Sequence, residues 1–466
     1  MTEKIQKTLR DSAGMRWMVL FFLAFAMFCS YIFMDILSPI KDLMQSTRGW
    51  DSTAFGTMQG SETFLNVFVF FLIFAGIILD KMGVRFTAVL SGAVMLVGAT
   101  INWYAVTEMF QGSSLETWFN ENLNYIPGFD ELGISPFYLG MPASAKFAAI
   151  GFMIFGCGVE MAGITVSRGI VKWFKGHEMA LAMGSEMALA RLGVATCMIF
   201  SPVFAKMGGV IDVSRSVAFG VVLLMIALIM FIVYFFLDKK LDSQTGEAEE
   251  KDDPFKISDI GNILRSRGFW LVALLCVLYY SAIFPFQRYA PNFLEVTLHI
   301  DAESAARLFS CFPILAMVLT PFLGALLDFR GKGATMLMIG AIIMIACHLS
   351  FAFLLPMFPS KWLALLLVVT LGVSFSLVPA ALWPSVPKII DEKVLGSAYC
   401  VIFWIQNIGL CLVPLLIGKV LDATGGYVMP MIIFSSFGVL AFIFSLYLKI
   451  EDRRKGYGLE LPNIRK

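Results

Sequence analysis

The chain has 466 residues, 58% of them hydrophobic and 15% charged, and a formal net charge of +1. So apolar a composition excludes an ordinary soluble protein of this size. The near-zero charge leaves no basic surface for nucleic acid.

Apolar runs of about 20 residues recur without the period-two alternation of barrel strands. The expected class is therefore an all-α membrane protein. Residues 1–16 are polar and basic, and the apolar run Trp17 to Ile40 is too long for a signal-peptide core. It reads as the first spanning helix. The next five run from about Thr53 to Leu79, Phe86 to Glu108, Lys146 to Val171, Glu178 to Ala205 and Arg215 to Leu237. The charged stretch Asp238 to Arg267 cannot bury enough surface to fold alone. Six more helices are expected near 268–290, 302–327, 334–355, 361–390, 395–421 and 428–449. The expected organisation is an N-terminal six-helix bundle (1–237), a cytoplasmic linker (238–267) and a C-terminal six-helix bundle (268–466). That makes twelve transmembrane helices.

Lysines and arginines cluster on one side: the amino-terminus, Lys81/Arg85, Lys172/Lys175, the linker, Arg330/Lys332, Lys388/Lys393 and Arg453/Arg454/Lys455. The connection 109–145 carries four acids (Glu116, Glu121, Asp130, Glu131) and no base. The positive-inside rule then puts both termini and the linker in the cytoplasm and that connection outside. The halves repeat. Gly76…Asp80…Gly83-Val84-Arg85 matches Gly324…Asp328…Gly331-Lys332, 248 positions on, and Arg191-Leu192-Gly193 matches Asn407-Ile408-Gly409, 216 positions on. The 32-residue difference is what the outer connection 109–145 adds to the first half alone, as a peripheral insertion. Related halves around a midplane site are the architecture of rocking transporters.

Two charges stand inside apolar segments flanking the Lys172–Glu178 turn. Glu160 lies eleven residues before Val171 and Arg191 thirteen after Glu178, so both sit roughly 16–20 Å from the turn, near mid-membrane. Ionisable residues at that depth are costly and point to function. The expectation is that Glu160 and Arg191 face one another across a polar cavity; a structural ion pair is the plainer alternative. No metal site or cofactor is expected. The eight cysteines lie in apolar runs and read as small buried hydrophobes, and none of the three histidines has a ligand neighbour at helical spacing. No nucleophile–base constellation appears, so an enzyme is not expected.

The loop Gly-x-x-x-Asp-x-x-Gly-x-Arg resembles the signature of the major facilitator superfamily. The blocks Ser30-Tyr31…Asp35-Ile36, Trp173-Phe174-Lys175-Gly176-His177-Glu178, Ala190-Arg191-Leu192-Gly193, Phe284-Pro285-Phe286, Ala381-Leu382-Trp383-Pro384, Leu395-Gly396-Ser397-Ala398-Tyr399 and Gln406-Asn407-Ile408-Gly409 are similar to its lysosomal dipeptide uniporter branch. That resemblance implies the major facilitator fold and a dipeptide substrate. It also implies that Glu160 and Arg191 hold the two ends of the dipeptide. The chain departs from that branch at Gln287-Arg288 and in its outer connection, and it has no Asn-x-Ser/Thr sequon. A bacterial cytoplasmic membrane fits better than a lysosome.

Around the pair, the expected substrate-site residues are Asn407 (the repeat mate of Arg191), Gln406, Tyr279, Tyr280, Phe284, Trp383, Trp404 and Arg288. Asp80, Arg85 and Asp328 are the expected gating residues. Asp35, Glu62 and Glu186 are candidate proton sites, although Glu186 lies roughly 140° around its helix from Arg191. The favoured function is a monomeric carrier for dipeptides working by alternating access. The rivals are an organic-anion carrier using Arg191 and Arg288, and a peptide sensor that does not transport.

Overall fold

The computed structural model describes residues 8–245, 261, 263–391 and 394–462. Among them, fifteen α-helices of five or more residues carry the fold. In the first half they are α1 (Ala13–Met34), α2 (Lys41–Arg48), α3 (Ser52–Ser61), α4 (Phe64–Phe68), α5 (Phe71–Val106), α6 (Ser114–Asn122), α7 (Ala143–Trp173), α8 (Met179–Ala205) and α9 (Val213–Thr245). In the second they are α10 (Arg267–Leu298), α11 (Ala302–Arg330), α12 (Gly333–Leu349), α13 (Lys361–Leu382), α14 (Leu395–Thr424) and α15 (Val428–Lys455). The described residues contain no strand.

Eleven stretches of these residues are long and apolar enough to span a bilayer. The count differs from twelve because the second crossing is not one helix. It is broken into α3, α4 and the start of α5, and α5 then turns into the third crossing at Gly83, whose φ of 79° a side chain would resist. The expected single helix Thr53–Leu79 is therefore wrong in form. At the first break Glu62 and Thr63 separate α3 from α4; at the second, Phe70 is left-handed (φ 56°). The sixth crossing is also longer than its apolar run, since α9 continues through Asp238 to Thr245. The charged centre of the linker, 246–260, lies outside the described residues, as do residue 262 and Lys393.

Capping residues fix where the helices start. Asp51 accepts from the Ala54 amide, Ser266 from Phe269 and Asp301 from Ser304, each filling an orphan donor of a first turn. Within the first half α5 packs on α7 and α9, and α1 on α8 and α9. Within the second, α10 packs on α14 and α15, α11 on α13, and α12 on α13 and α15. The halves meet along two seams, α3 against α14 and α8 against α11.

The α3–α14 seam is backbone against backbone. A Cβ at Gly56 would sit 2.1 Å from the Pro414 carbonyl oxygen, and one at Gly60 would sit 2.2 Å from that of Cys411. Small residues allow such approach between helices in lipid. Replacing Gly60 with alanine should hold the seam apart, because the obstructing atom is backbone and cannot rotate away. Overpacking of this kind costs about 1–3 kcal/mol. The transport rate should drop about tenfold or more at normal expression, and an unchanged rate would mean the carrier does not need this contact.

The connection 107–142 is not peripheral. Phe129 packs on Phe64 and Phe68 of α4, Tyr138 donates to Asp51 at 3.3 Å, and Lys419 of α14 donates to the Gly133 carbonyl at 2.7 Å. It is docked along the seam between the halves. Its own small core, Phe110, Phe119 and Ala143, is anchored by Lys146, which donates to Phe119 O and Asn124.

Candidate functional site

At the end of the bundle that carries this connection, the two halves are closed against each other by polar contacts. Arg288 of α10 reaches into the first break of the second crossing. It pairs with Glu62, donates to the Gln59 carbonyl at 2.6 Å and lies 4.0 Å from Asp35. In an unbroken helix the amide four residues on would occupy the Gln59 carbonyl; here the guanidinium takes that place. Gln287 donates to Asp35 at 2.6 Å, and Asn292 donates to Asp42. Trp404 of α14 closes the second break, donating to the Val67 carbonyl at 2.9 Å with its ring stacked on Phe70 at 5.4 Å.

The opposite end is different. Among the described residues, ion pairs there join elements of one half: Asp80 with Arg168 (2.8 Å), Arg85 with Asp242 (2.9 Å), Lys172 with Asp238 (2.6 Å) and Arg16 with Glu178 (3.2 Å) in the first, and Lys449 with Glu460 (3.7 Å) in the second. Its own backbone amide, and then the bond from Arg16, hold the exposed Glu178 carboxyl below its usual range. Asp328, in the last turn of α11, lies within electrostatic reach of Lys388, as Asp452 does. Gly163, three residues past Glu160, and Gly184, seven before Arg191, have no atom within 4 Å of an added Cβ. Open space thus lies beside both helices between each charge and this end.

Glu160 and Arg191 are both half-buried, and they do not pair with each other. Each instead meets the second half. Glu160 Oε1 accepts from Asn407 Nδ2 at 2.9 Å. The Arg191 guanidinium lies over the ring of Phe375 at 4.7 Å and that of Phe284 at 5.5 Å. Cation–π contacts of this kind hold a cation without neutralising it. Tyr280 stacks on Phe284 at 5.2 Å and accepts from Trp383 Nε1 at 3.2 Å, extending the aromatic wall. Tyr31 of α1 lies within electrostatic reach of Arg191, Glu186 and Glu160, and Glu186 is itself within reach of Arg191.

The sequence-derived set thus divides. Glu160 with Asn407 forms one group and Arg191 with Phe284, Tyr280 and Trp383 another, and Tyr31 lies within electrostatic reach of both charges. Tyr279 turns away, its hydroxyl donating to the Leu337 carbonyl of α12. Gln406 also faces its own half, accepting from Cys276 at 3.2 Å. Trp404 and Arg288 are engaged at the breaks of the second crossing. Asp35 and Glu62 belong to the Arg288 cluster. Phe375 and Tyr31 were missed as site residues. Tyr31 stands in one of the family-like blocks, whereas Phe375 carries no signal beyond its flanking serines.

The seams, the discontinuous second crossing and the repeat describe a carrier built of two halves. The sequence model of the Major Facilitator Superfamily matches residues 131–414. The chain belongs to that superfamily. Within it, the lysosomal dipeptide transporter MFSD1 of Danio rerio is 27% identical, over 96% of this chain and 89% of that protein. A probable sulfoacetate transporter of Cupriavidus necator is 24% identical, over 67% of this chain and 75% of its own. A solved structure of the nucleoside transporter NupG, 13% identical, superposes with a TM-score of 0.67 over 93% of this chain and 99% of that one, a likeness of fold. As a superfamily member with these spans, the chain is a multi-pass membrane transporter.

Proposed function

We propose that this superfamily member carries dipeptides across the membrane by alternating access, with Glu160 holding the ammonium end and Arg191 the carboxylate. One observation carries the reading. An acid and a base stand at mid-membrane depth, both within electrostatic reach of Tyr31, and among the described residues neither is held in an ion pair, Glu186 only sharing the field of Arg191. A charge in such a place without a counter-charge is costly. An extended dipeptide, its ends about 7 Å apart, supplies both. The aromatic wall of Tyr280, Phe284, Phe375 and Trp383 gives side chains of differing shape an apolar surface. The relative named as a dipeptide transporter supports the same substrate class.

The anion reading would require Arg288 beside Arg191. Arg288 is instead held by Glu62 and the Gln59 carbonyl in the closed end. By the charge asymmetry of the loops, that closed end faces outward and the chain termini lie in the cytoplasm. The state described is then open inward, in a cytoplasmic membrane. Replacing Glu160 with glutamine removes the charge and keeps the shape and the Asn407 bond. Dipeptide uptake into proteoliposomes should fall about tenfold or more at unchanged expression. Wild-type uptake in that variant would take Glu160 out of the site.

A further inference from the structure

A second cavity, about 520 Å³, lies at the closed end, far along the helices from Glu160. It is walled by the start of α2, the end of α10 and the turn between α14 and α15. Lys41 lines it and is only 3% exposed. Nevertheless its ammonium has no hydrogen bond or ion pair among the described residues. The charges in whose field it sits are Asp42, Asp51, Asp422 and Glu295, and none touches it. Asp422 is occupied by the amides of Ser52 (3.1 Å) and Thr53 (2.6 Å). Asp42 faces the same cavity; its Oδ1 accepts from Asn292, and its Oδ2 has no partner among the described residues.

An unpaired, nearly buried cation beside a half-used carboxylate calls for a ligand carrying both opposite charges. Phe293 and Phe351 give the cavity an apolar side. We propose that this cavity is a second binding site, taking a small zwitterion with a free carboxylate on Lys41 and a free ammonium on Asp42. Taking that zwitterion to be a dipeptide rests on the function proposed for the central site. The first half supplies Lys41 and Asp42, and the second supplies Asn292, Phe293 and Phe351. The site is therefore complete only while this end is shut. A ligand that binds one state alone shifts the population toward it. Solute accumulated on the loop-bearing side would then hold the carrier closed on that side and slow further export.

The test is equilibrium dialysis of radiolabelled glycylglycine against the purified full-length protein. Wild type should bind two equivalents, Lys41→Met one, Glu160→Gln one and the double variant none. Asp42→Asn should weaken the second site about tenfold and leave the central site as in wild type. That result stands in for Lys41→Met if that variant does not fold. If Lys41→Met and Asp42→Asn both bind as wild type does, the second site is overturned. If the wild type binds a single equivalent that Lys41→Met abolishes and Glu160→Gln leaves intact, the second site stands and the central dipeptide site falls.

Discussion

Arg288→Met should unlock the loop-bearing end of the bundle. Removing the guanidinium leaves Glu62 and Asp35, 6% and 1% exposed, as buried carboxylates without a counter-charge. Breaking one side of a buried pair costs about 3–5 kcal/mol. Arg288 and its partners lie on opposite halves, so the cost falls on the closed state and not on either half alone. A shift of that size is roughly 10²–10⁴-fold in the population of the closed state. Cys411 is a native reporter, because it is buried in the α3–α14 seam where its carbonyl meets Gly60. With the other seven cysteines replaced, a membrane-impermeant maleimide applied at the loop-bearing side should label Cys411 slowly in the parent and rapidly in Arg288→Met. Continued protection in the variant would show that the glycine seam closes this end without the ion cluster.

Arg191→Lys should impair binding of free dipeptides almost as badly as Arg191→Ala. Lysine keeps the charge and loses the planar fork that grips a carboxylate with two parallel bonds. It also loses the flat face that lies over Phe375 and Phe284. A lost hydrogen bond to a charged group is worth about 1.5–3 kcal/mol, so affinity should fall roughly 10–150-fold. The loss should be selective. Dipeptides amidated at the carboxyl end lack the group that the proposed function assigns to Arg191, so they should bind weakly to wild type and change little in the variants. Equal losses for free and amidated ligands would mean that Arg191 only holds the halves together.

Long apolar runs mark helices reliably in the sequence because lipid forces every backbone group into an internal hydrogen bond. The same rule hid the second crossing. From Ser61 to Ala75 there is no glycine or proline, so nothing local announces breaks at Glu62–Thr63 and Phe70. They persist because Arg288 and Trp404, more than two hundred positions away, take the freed carbonyls of Gln59 and Val67. The pairing of Glu160 with Asn407 was within reach, since the internal repeat puts Asn407 where Arg191 stands in the first half. Tyr279 and Tyr280 were not separable. They are neighbours about 100° apart on one helix, and only the packing of α12 shows which one turns inward. The connection 107–142 looked dispensable because it occurs in one half only, but where an insertion docks is decided by surfaces elsewhere in the chain.

The most direct test of the central claim is uptake of a radiolabelled dipeptide into proteoliposomes, competed with unlabelled dipeptides and with dicarboxylates. Separate charges of opposite sign at Glu160 and Arg191 predict saturable uptake that unlabelled dipeptides compete away and dicarboxylates leave unchanged. If dicarboxylates compete and dipeptides do not, the carrier recognises anions, and the assignment of Glu160 and Arg191 to the two ends of a dipeptide is contradicted.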